Sequence, residues 1–342
     1  MLNSLYIKNY RLFKELRINS LKRFNLIIGK NNIGKSSLLE AVTTFLNKDD
    51  IIIKIIEDML YSGEWDDSNF ISIFDSFASL FYKNRDLDKE INNFYIGEDE
   101  HKGISFCLNY KKGNKLKRDA YIEVKKNNKD KAEKISILDI QFQQNILSGS
   151  TNTKHDIVKS ALPTAYIHSL ALKWSKIVLT EKEDHVIEAL RIIDKNIERI
   201  AFVDTNTTKK AIVKFHNSSQ PFSLSSMGDG IFKILRTVLT LVHCENGTLL
   251  IDEFENGLHW SVQLELWKII YHLAYKLNIQ IFATTHSRDT LWAFQQAALS
   301  QGHEDDTRVI KLKHLPKRQN IKAVEVDIKE VKQIMEQGLE IR

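Results

Sequence analysis

The N-terminal part of the chain passes from an apolar run to a helical pattern through a short polar loop. Residues 24–28, FNLII, are apolar except for Asn25 and are followed by Gly29, which is typical of a buried parallel strand. From Ser36 the apolar residues recur at helical spacing in SSLLEAVTTFL. The pattern therefore predicts a strand, a glycine-containing loop and a helix, the first half of a βα unit.

Strand and helix patterns alternate again from residue 201 onward. Apolar strands such as TLLID and IQIFATT are separated by helical patterns such as IFKILRTVLTLVH, which predicts a mostly parallel sheet covered by helices. Residues 46–200 combine helical patterns with a predicted β-hairpin formed by ISFCLNY and AYIEVKK. We therefore expect a core built from residues 1–45 and 201–342, with an inserted lobe of helices and a hairpin at 46–200.

The composition is that of an ordinary folded protein of one or two domains. The 342 residues are 43% hydrophobic, and 49 basic against 44 acidic residues leave a net charge of +5. So small a basic excess permits nucleic-acid binding without demanding it. The apolar runs are shorter than the roughly 18 residues of a membrane span, and the start does not resemble a signal peptide. With only Cys107 and Cys244 and no CxxC, we expect a cytoplasmic protein without a disulfide scaffold, structural zinc site or membrane partner.

The strongest chemical signal is the segment from Gly29 to Ser36, GKNNIGKS. It fits the pattern G-x-x-x-x-G-K-[ST] and lies between a buried strand and a helix. The glycines of such a loop let backbone N–H groups turn toward phosphates, and the helix N-terminus adds partial positive charge. Lys35 is expected to reach the β- and γ-phosphates, and the Ser36 hydroxyl to bind Mg²⁺. We predict a phosphate-binding loop formed by Gly29, Lys30, Asn31, Asn32, Ile33, Gly34, Lys35, Ser36 and Ser37.

A second signal is the pair of carboxylates that follows the apolar run TLLI. Asp252 and Glu253 would lie at the carboxyl edge of the sheet, where open α/β sheets bind ligands. We expect Asp252 to hold Mg²⁺ through water and Glu253 to orient or deprotonate an attacking water. Acidic pairs after apolar runs are common. The assignment of Asp252 and Glu253 therefore depends on the presence of the phosphate loop in the same chain.

Two further motifs carry a family resemblance. Residues 225–229, SSMGD, resemble the signature motif of ATP-binding-cassette (ABC) ATPases, with Ser226 and Gly228 on its serine and second glycine. His286, in IFATTHS, resembles the switch histidine of that superfamily. The four motifs follow the superfamily's order. The segments IKNYRLF, GKNNIGKSSLLEA, DEFENGLH and FATTHS are most similar to its structural-maintenance-of-chromosomes (SMC) and overcoming-lysogenization-defect (OLD) branch, and to stand-alone AAA-family ATP-binding proteins without a nuclease domain.

The resemblance implies an α/β P-loop NTPase fold of the ABC-ATPase type, a mixed sheet covered by helices, that hydrolyses ATP with Mg²⁺. Two copies would form a homodimer around two ATP molecules, so that Ser226 and Gly228 of one copy contact the γ-phosphate bound by the other. Lys35, Glu253 and His286 would then be the catalytic residues.

Three assignments stay open at this stage. Arg11, in NYRLF, resembles a residue that contacts the nucleotide in relatives, and a solvent-exposed loop arginine is an equally good interpretation. His259 stands where many relatives carry an aspartate of the dimer interface. The Mg²⁺-sensing glutamine is one of Gln141, Gln143 and Gln144.

The resemblance also implies a biological role, an ATP-driven conformational switch in phage defence or DNA maintenance. A separately encoded, nuclease-like effector is expected, because the residues after His286 contain no compact carboxylate cluster. One alternative is a repair ATPase that binds DNA directly through the basic clusters Lys111–Arg118, Lys125–Lys134 and Lys313–Arg318. A second is a scaffold that binds ATP without hydrolysing it. A transporter ATPase ranks last because the signature form LSGGQ is absent.

Overall fold

The structure is a computed structural model of the chain. It describes residues 1–48, 51, 52, 55, 56, 59, 70–82, 93–109, 120–127, 132–137, 154–158, 165–204, 209–315 and 320–336. The strands are β1 (Leu5–Tyr10), β2 (Phe13–Ile18), β3 (Phe24–Ile28), β4 (Asn93–Gly97), β5 (Gly103–Asn109), β6 (Tyr121–Lys126), β7 (Glu133–Ser136), β8 (His155–Val158), β9 (Ile197–Asp204), β10 (Lys209–Phe215), β11 (Phe222–Ser223), β12 (Thr248–Ile251), β13 (Gln280–Thr285), β14 (Thr307–His314) and β15 (Ile321–Asp327).

The helices alternate with the strands in the second half of the chain. They are α1 (Lys35–Leu46), α2 (Phe70–Ala78), α3 (Ala165–Ser175), α4 (Glu181–Leu190), α5 (Asp229–His243), α6 (Trp260–Lys276), α7 (Arg288–Gln301) and α8 (Ile328–Glu336). Short 3₁₀ turns occupy Leu224–Met227 and Glu304–Asp306. None of the helices within the described ranges is long and apolar enough to cross a membrane.

A six-stranded sheet in the order β15-β14-β3-β13-β12-β8 forms the centre of the molecule. Every neighbouring pair in it is parallel except β14 with β15, which is antiparallel. Strands β3, β12 and β13 are buried along their whole length, which explains their predominantly apolar sequences. The predicted mixed sheet covered by helices is confirmed.

Side chains of the central sheet alternate between two hydrophobic cores. Leu249 and Ile251 belong to the core that contains residues of α3 to α8, whereas Leu250 belongs to the core that contains α1, α2 and the first strands. Because successive side chains of a strand point to opposite faces, the two cores lie on opposite faces of the sheet. Helices α1 and α5 therefore pack on opposite faces.

A second six-stranded sheet, β2-β1-β4-β5-β6-β7, is antiparallel throughout. The predicted hairpin is present as β5 and β6, which pair from Ile104 opposite Lys126 to Asn109 opposite Tyr121. Residues 46–200 thus extend the sheet begun by β1 and β2, and they also supply β8 to the central sheet. The segment shares both main sheets with the N-terminal part, and its treatment as one inserted unit stays a prediction.

Candidate functional site

The segment Gly29–Ser36, the phosphate loop, connects β3 to α1. Gly29 and Gly34 have positive φ angles of 152° and 96°. A Cβ atom on Gly29 would lie 2.9 Å from the carbonyl oxygen of Leu312, and one on Gly34 would lie 2.9 Å from Cζ of Phe13. Both the backbone conformation and the close packing therefore require the two glycines of the pattern.

Lys35 begins α1, and its ammonium group lies within the loop. Its Nζ donates hydrogen bonds to the carbonyl oxygens of Gly29 (2.9 Å) and Lys30 (3.1 Å), and the residue is 8% exposed. Burial lowers the pKa of Lys35. Three carboxylates oppose that shift, those of Glu255, Glu253 and Asp252. The phosphate loop and the carboxylates that follow β12 thus act on each other at the same edge of the sheet.

The remaining loop residues differ in exposure. Ser36 is exposed in the first turn of α1, and Ser37 is half-buried. Ile33 is buried, whereas the other members of the loop are open to solvent: Lys30, Asn31 and Asn32. Polar groups of the loop therefore face solvent while its apolar member anchors it to the core.

The residues Asp252 and Glu253, the acidic turn, follow β12 directly. Strand β13 lies between β3 and β12, so all three carboxyl ends meet at one edge. A single hydroxyl of β13, that of Thr284, binds both members of the turn. It accepts a hydrogen bond from the backbone N–H of Glu253 (2.8 Å) and donates one to Oδ1 of Asp252 (2.6 Å). The side-chain amide of Asn256 donates to Oε2 of Glu253 and so restrains the carboxylate of Glu253 directly.

A third carboxylate, Glu255, holds His286 at the end of β13. Its Oε1 accepts from the backbone N–H of His286 (2.9 Å) and lies 3.0 Å from Nδ1 of the same residue. The Thr285 hydroxyl donates to Oε2 (2.7 Å). With Nδ1 facing Glu255, the ring presents Nε2 as its nitrogen for a phosphate.

The residues Ser225–Gly228, the signature turn, lead into α5. Ser226 is exposed and its hydroxyl donates to the carbonyl oxygen of Ser223 (2.7 Å). Gly228 has φ 86° and ψ 173°, a conformation that essentially only glycine adopts. Apart from the glycine and its two chain neighbours, no heavy atom of the described residues lies within 4 Å of where its Cβ would be. The glycine is thus required by the backbone conformation, and the turn faces open space.

Two residues whose roles the sequence left open, Arg11 and His259, make contacts within the protein. Arg11 pairs with Oε2 of Glu40 on α1 (3.1 Å), with both side chains 11% exposed, so its interpretation as a solvent-exposed loop arginine is wrong. Its contact with nucleotide stays a prediction. His259 caps the N-terminus of α6 by accepting from the backbone N–H of Ser261.

Other predicted residues lie outside the described part of the chain. These are the three candidate glutamines and the first basic cluster: Gln141, Gln143, Gln144 and Lys111–Arg118. The other two basic clusters, Lys125–Lys134 and Lys313–Arg318, are described only in part.

Sequence reasoning missed three residues that organise this edge. Glu255 and Thr284 lie within the segments DEFENGLH and FATTHS, but the sequence assigns them no role because their partners come from the neighbouring strand end. Lys233, on α5, donates to the backbone of the acidic turn, and a lysine within an apolar helical pattern was the available signal.

Comparison with known proteins identifies the family. The AAA ATPase domain family matches this chain over residues 1–139 and 78–290. The chain belongs to this family. It is an ATP hydrolase, as the motifs predicted.

Two relatives of this AAA ATPase extend the comparison. An ATP/GTP phosphatase of Helicobacter pylori is 25% identical over 348 residues, which cover 92% of each chain. An uncharacterised protein of Methanocaldococcus jannaschii is 36% identical over 102 residues, 29% of this chain and 43% of the relative.

Solved structures of SMC heads share the fold. One, an SMC head bound to the C-winged helix domain of ScpA, has a TM-score of 0.55 at 10% identity and covers 97% of this chain and 99% of that one. Another, from Pyrococcus furiosus, carries an extended coiled coil and is bound to the C-terminal domain of ScpA; its TM-score is 0.50 at 10% identity, over 98% of both chains. At this identity the likeness shows the fold alone, that of SMC heads.

Proposed function

We propose that this ATPase is a nucleotide-driven conformational switch in which two copies close on two ATP molecules and separate after hydrolysis. The observation that carries the proposal is the exposed signature turn. Gly228 is the N-cap residue of α5, a helix N-terminus of the kind that attracts anions, and the space at its Cβ position is open. A second copy presenting its phosphate loop would fill that space.

The positions of α1 and α5 support the same arrangement. The phosphate loop leads into α1, which packs on one face of the central sheet. The signature turn leads into α5, which packs on the other face. Two helix N-termini that start from opposite faces favour contact with two different nucleotides over joint contact with one. Each ATP would then be bound by the phosphate loop of one copy and the signature turn of its partner.

The residues of the sheet edge suit phosphoryl transfer, which asks for positioning and charge neutralisation. Lys35 neutralises charge on the β- and γ-phosphates. Glu253 orients the attacking water and accepts its proton, and His286 donates to the γ-phosphate through Nε2. Backbone N–H groups of the phosphate loop bind the remaining phosphate oxygens. Ser226 and Gly228 of the partner copy complete the cage around the γ-phosphate.

The oxygen donors at this edge fit Mg²⁺, which prefers hard oxygen ligands and keeps several waters. The described residues contain no cluster of three or more histidine, cysteine, aspartate or glutamate side chains that could hold a metal ion. The donors proposed for the ion are the Ser36 hydroxyl, the Asp252 carboxylate that Thr284 orients, phosphate oxygens and water. Ser36 and Asp252 would hold the ion, whose charge offsets that of the phosphates.

The biological setting that we propose is phage defence or DNA maintenance in the cytoplasm, with a separately encoded effector. The motifs similar to the SMC and OLD branch support it. The fold is that of SMC heads, and the two solved heads described above are bound to domains of ScpA. A switch that reports its nucleotide state to a partner protein fits the same architecture.

The test is the variant Glu253→Gln, which keeps the shape of the side chain but removes the base. Phosphate release is expected to fall by about 10²- to 10⁴-fold, the usual contribution of a general base. ATP binding should persist, and light scattering should show a monomer becoming a dimer when ATP is added. Glu265→Gln, at an exposed carboxylate on α6, is the matched control and should leave hydrolysis unchanged.

A second variant tests the composite site. Adding Ser226→Arg to Glu253→Gln should abolish dimerisation while ATP binding persists, because the phosphate loop is intact. A Glu253→Gln protein that stays monomeric at saturating ATP would contradict the switch. Strong stimulation of the unmodified protein by DNA, with a steep dependence on salt, would favour the repair ATPase instead.

A further inference from the structure

A buried lysine on α5 contacts the acidic turn. Lys233 lies in the second turn of the helix and is 5% exposed. Its Nζ donates to the carbonyl oxygens of Asp252 (3.3 Å) and Glu253 (3.1 Å). The ammonium group thus connects the helix that begins with the signature turn to the residues that end β12.

A buried ammonium is unfavourable at this position. Its neighbours along the helix, Ile231, Ile234 and Leu235, are fully buried apolar residues. Burial, with a further contribution from Arg236, lowers the pKa of Lys233 to about 8. An apolar side chain of similar length would avoid the cost of desolvation. Packing alone therefore does not explain a lysine here.

The carbonyl groups of the acidic turn are hydrogen-bonded by Lys233 and, at Glu253, also by the backbone N–H of Asn256 (3.1 Å). Glu253 has a φ of 48°, a left-handed conformation that is strained for a residue with a side chain. Thr284 holds the N–H of Glu253 from the side of β13. Lys233 holds the carbonyl groups of the same turn from the side of α5, so the backbone that carries the Glu253 carboxylate is restrained from both sides.

We propose that Lys233 is a positioning residue for ATP hydrolysis, which ties the acidic turn to the signature helix and so keeps the Glu253 carboxylate where the attacking water is deprotonated. This inference rests on the proposed role of Glu253. It also gives α5 two contacts, with the partner's nucleotide through the signature turn and with its own acidic turn through Lys233. A displacement of α5 by the partner's nucleotide would therefore move Glu253 in the site of its own copy.

The variants Lys233→Met and Lys233→Arg test the proposal, with Lys268→Met on the exposed side of α6 as the matched control. Lys233→Met should lower kcat by about 10- to 100-fold, the cost of a displacement of about 1 Å at a catalytic group. KM, the Kd for ATP and the melting temperature should stay close to those of the unmodified protein. Lys233→Arg should recover most of kcat because it keeps a charged donor.

The outcomes separate the possible roles of Lys233. A kcat within twofold of the unmodified protein would overturn the proposal, and so would a parallel loss of kcat, ATP affinity and melting temperature, which indicates a merely structural residue. If Lys233→Met does not fold, Lys233→Gln decides by the same criteria. Failure of the proposed function is distinguishable, because Glu253→Gln would then hydrolyse ATP normally whatever the Lys233 variants do.

Discussion

The hydroxyl of Thr284 gives the sharpest test of how this sheet edge is built. It is fully buried on β13 and binds two atoms of the acidic turn, the N–H of Glu253 and Oδ1 of Asp252. Thr284→Val replaces the hydroxyl by a methyl group of nearly the same size. The substitution therefore removes both hydrogen bonds without opening a cavity.

The expected loss follows from the two bonds. A hydrogen bond to a neutral backbone group contributes about 1 kcal/mol, and one to a carboxylate about 2 kcal/mol. Thr284→Val should thus lower the free energy of unfolding by about 3 kcal/mol. Since one of these bonds holds the backbone of Glu253, the proposed base, kcat should fall by about 10²-fold. Thr284→Ser keeps the hydroxyl and loses one methyl group, so its loss of stability should be about 1 kcal/mol.

Urea unfolding followed by fluorescence measures the first effect, and steady-state phosphate release measures the second. Both losses must appear in Thr284→Val and be much smaller in Thr284→Ser. A valine variant as stable and as active as the unmodified protein would refute the role of this hydroxyl. Loss of stability with unchanged kcat would refute the connection between the hydrogen bonds and the position of the base.

Two further predictions concern titratable groups. Glu255→Gln should lower kcat by about tenfold and leave the Kd for ATP unchanged, because His286 loses the carboxylate that faces Nδ1; a rate equal to that of the unmodified protein would contradict this. Burial lowers the pKa of His243 below its usual 6.5, so the unfolded chain takes up a proton before the native state does. Stability should therefore fall as the pH drops through 6.5, and less so in His243→Gln, as urea unfolding at pH 7.5 and 5.5 can measure. Equal losses in both proteins would exclude this histidine.

The conformation of the phosphate loop is determined by residues that are neighbours in the sequence. The two glycines, the lysine and the serine act through consecutive backbone N–H groups and through the start of one helix, so the pattern and its place between FNLII and SSLLEA were sufficient. The buried strands of the central sheet were predictable from local sequence as well, because a predominantly apolar run indicates burial on both faces.

The tertiary structure decided which residues support the acidic turn. Thr284 and Lys233 come from elements that are apart from Asp252 along the chain, and no periodicity encodes which side chain meets a given strand end. Arg11 shows the same effect, since the ion pair with Glu40 on another element leaves both side chains 11% exposed, which excludes one of its two interpretations, the exposed loop arginine. Strand pairing likewise placed β8 in the central sheet. A sequence pattern records how a residue meets water and its own neighbours, whereas contacts across the sheet exist only once the chain has folded.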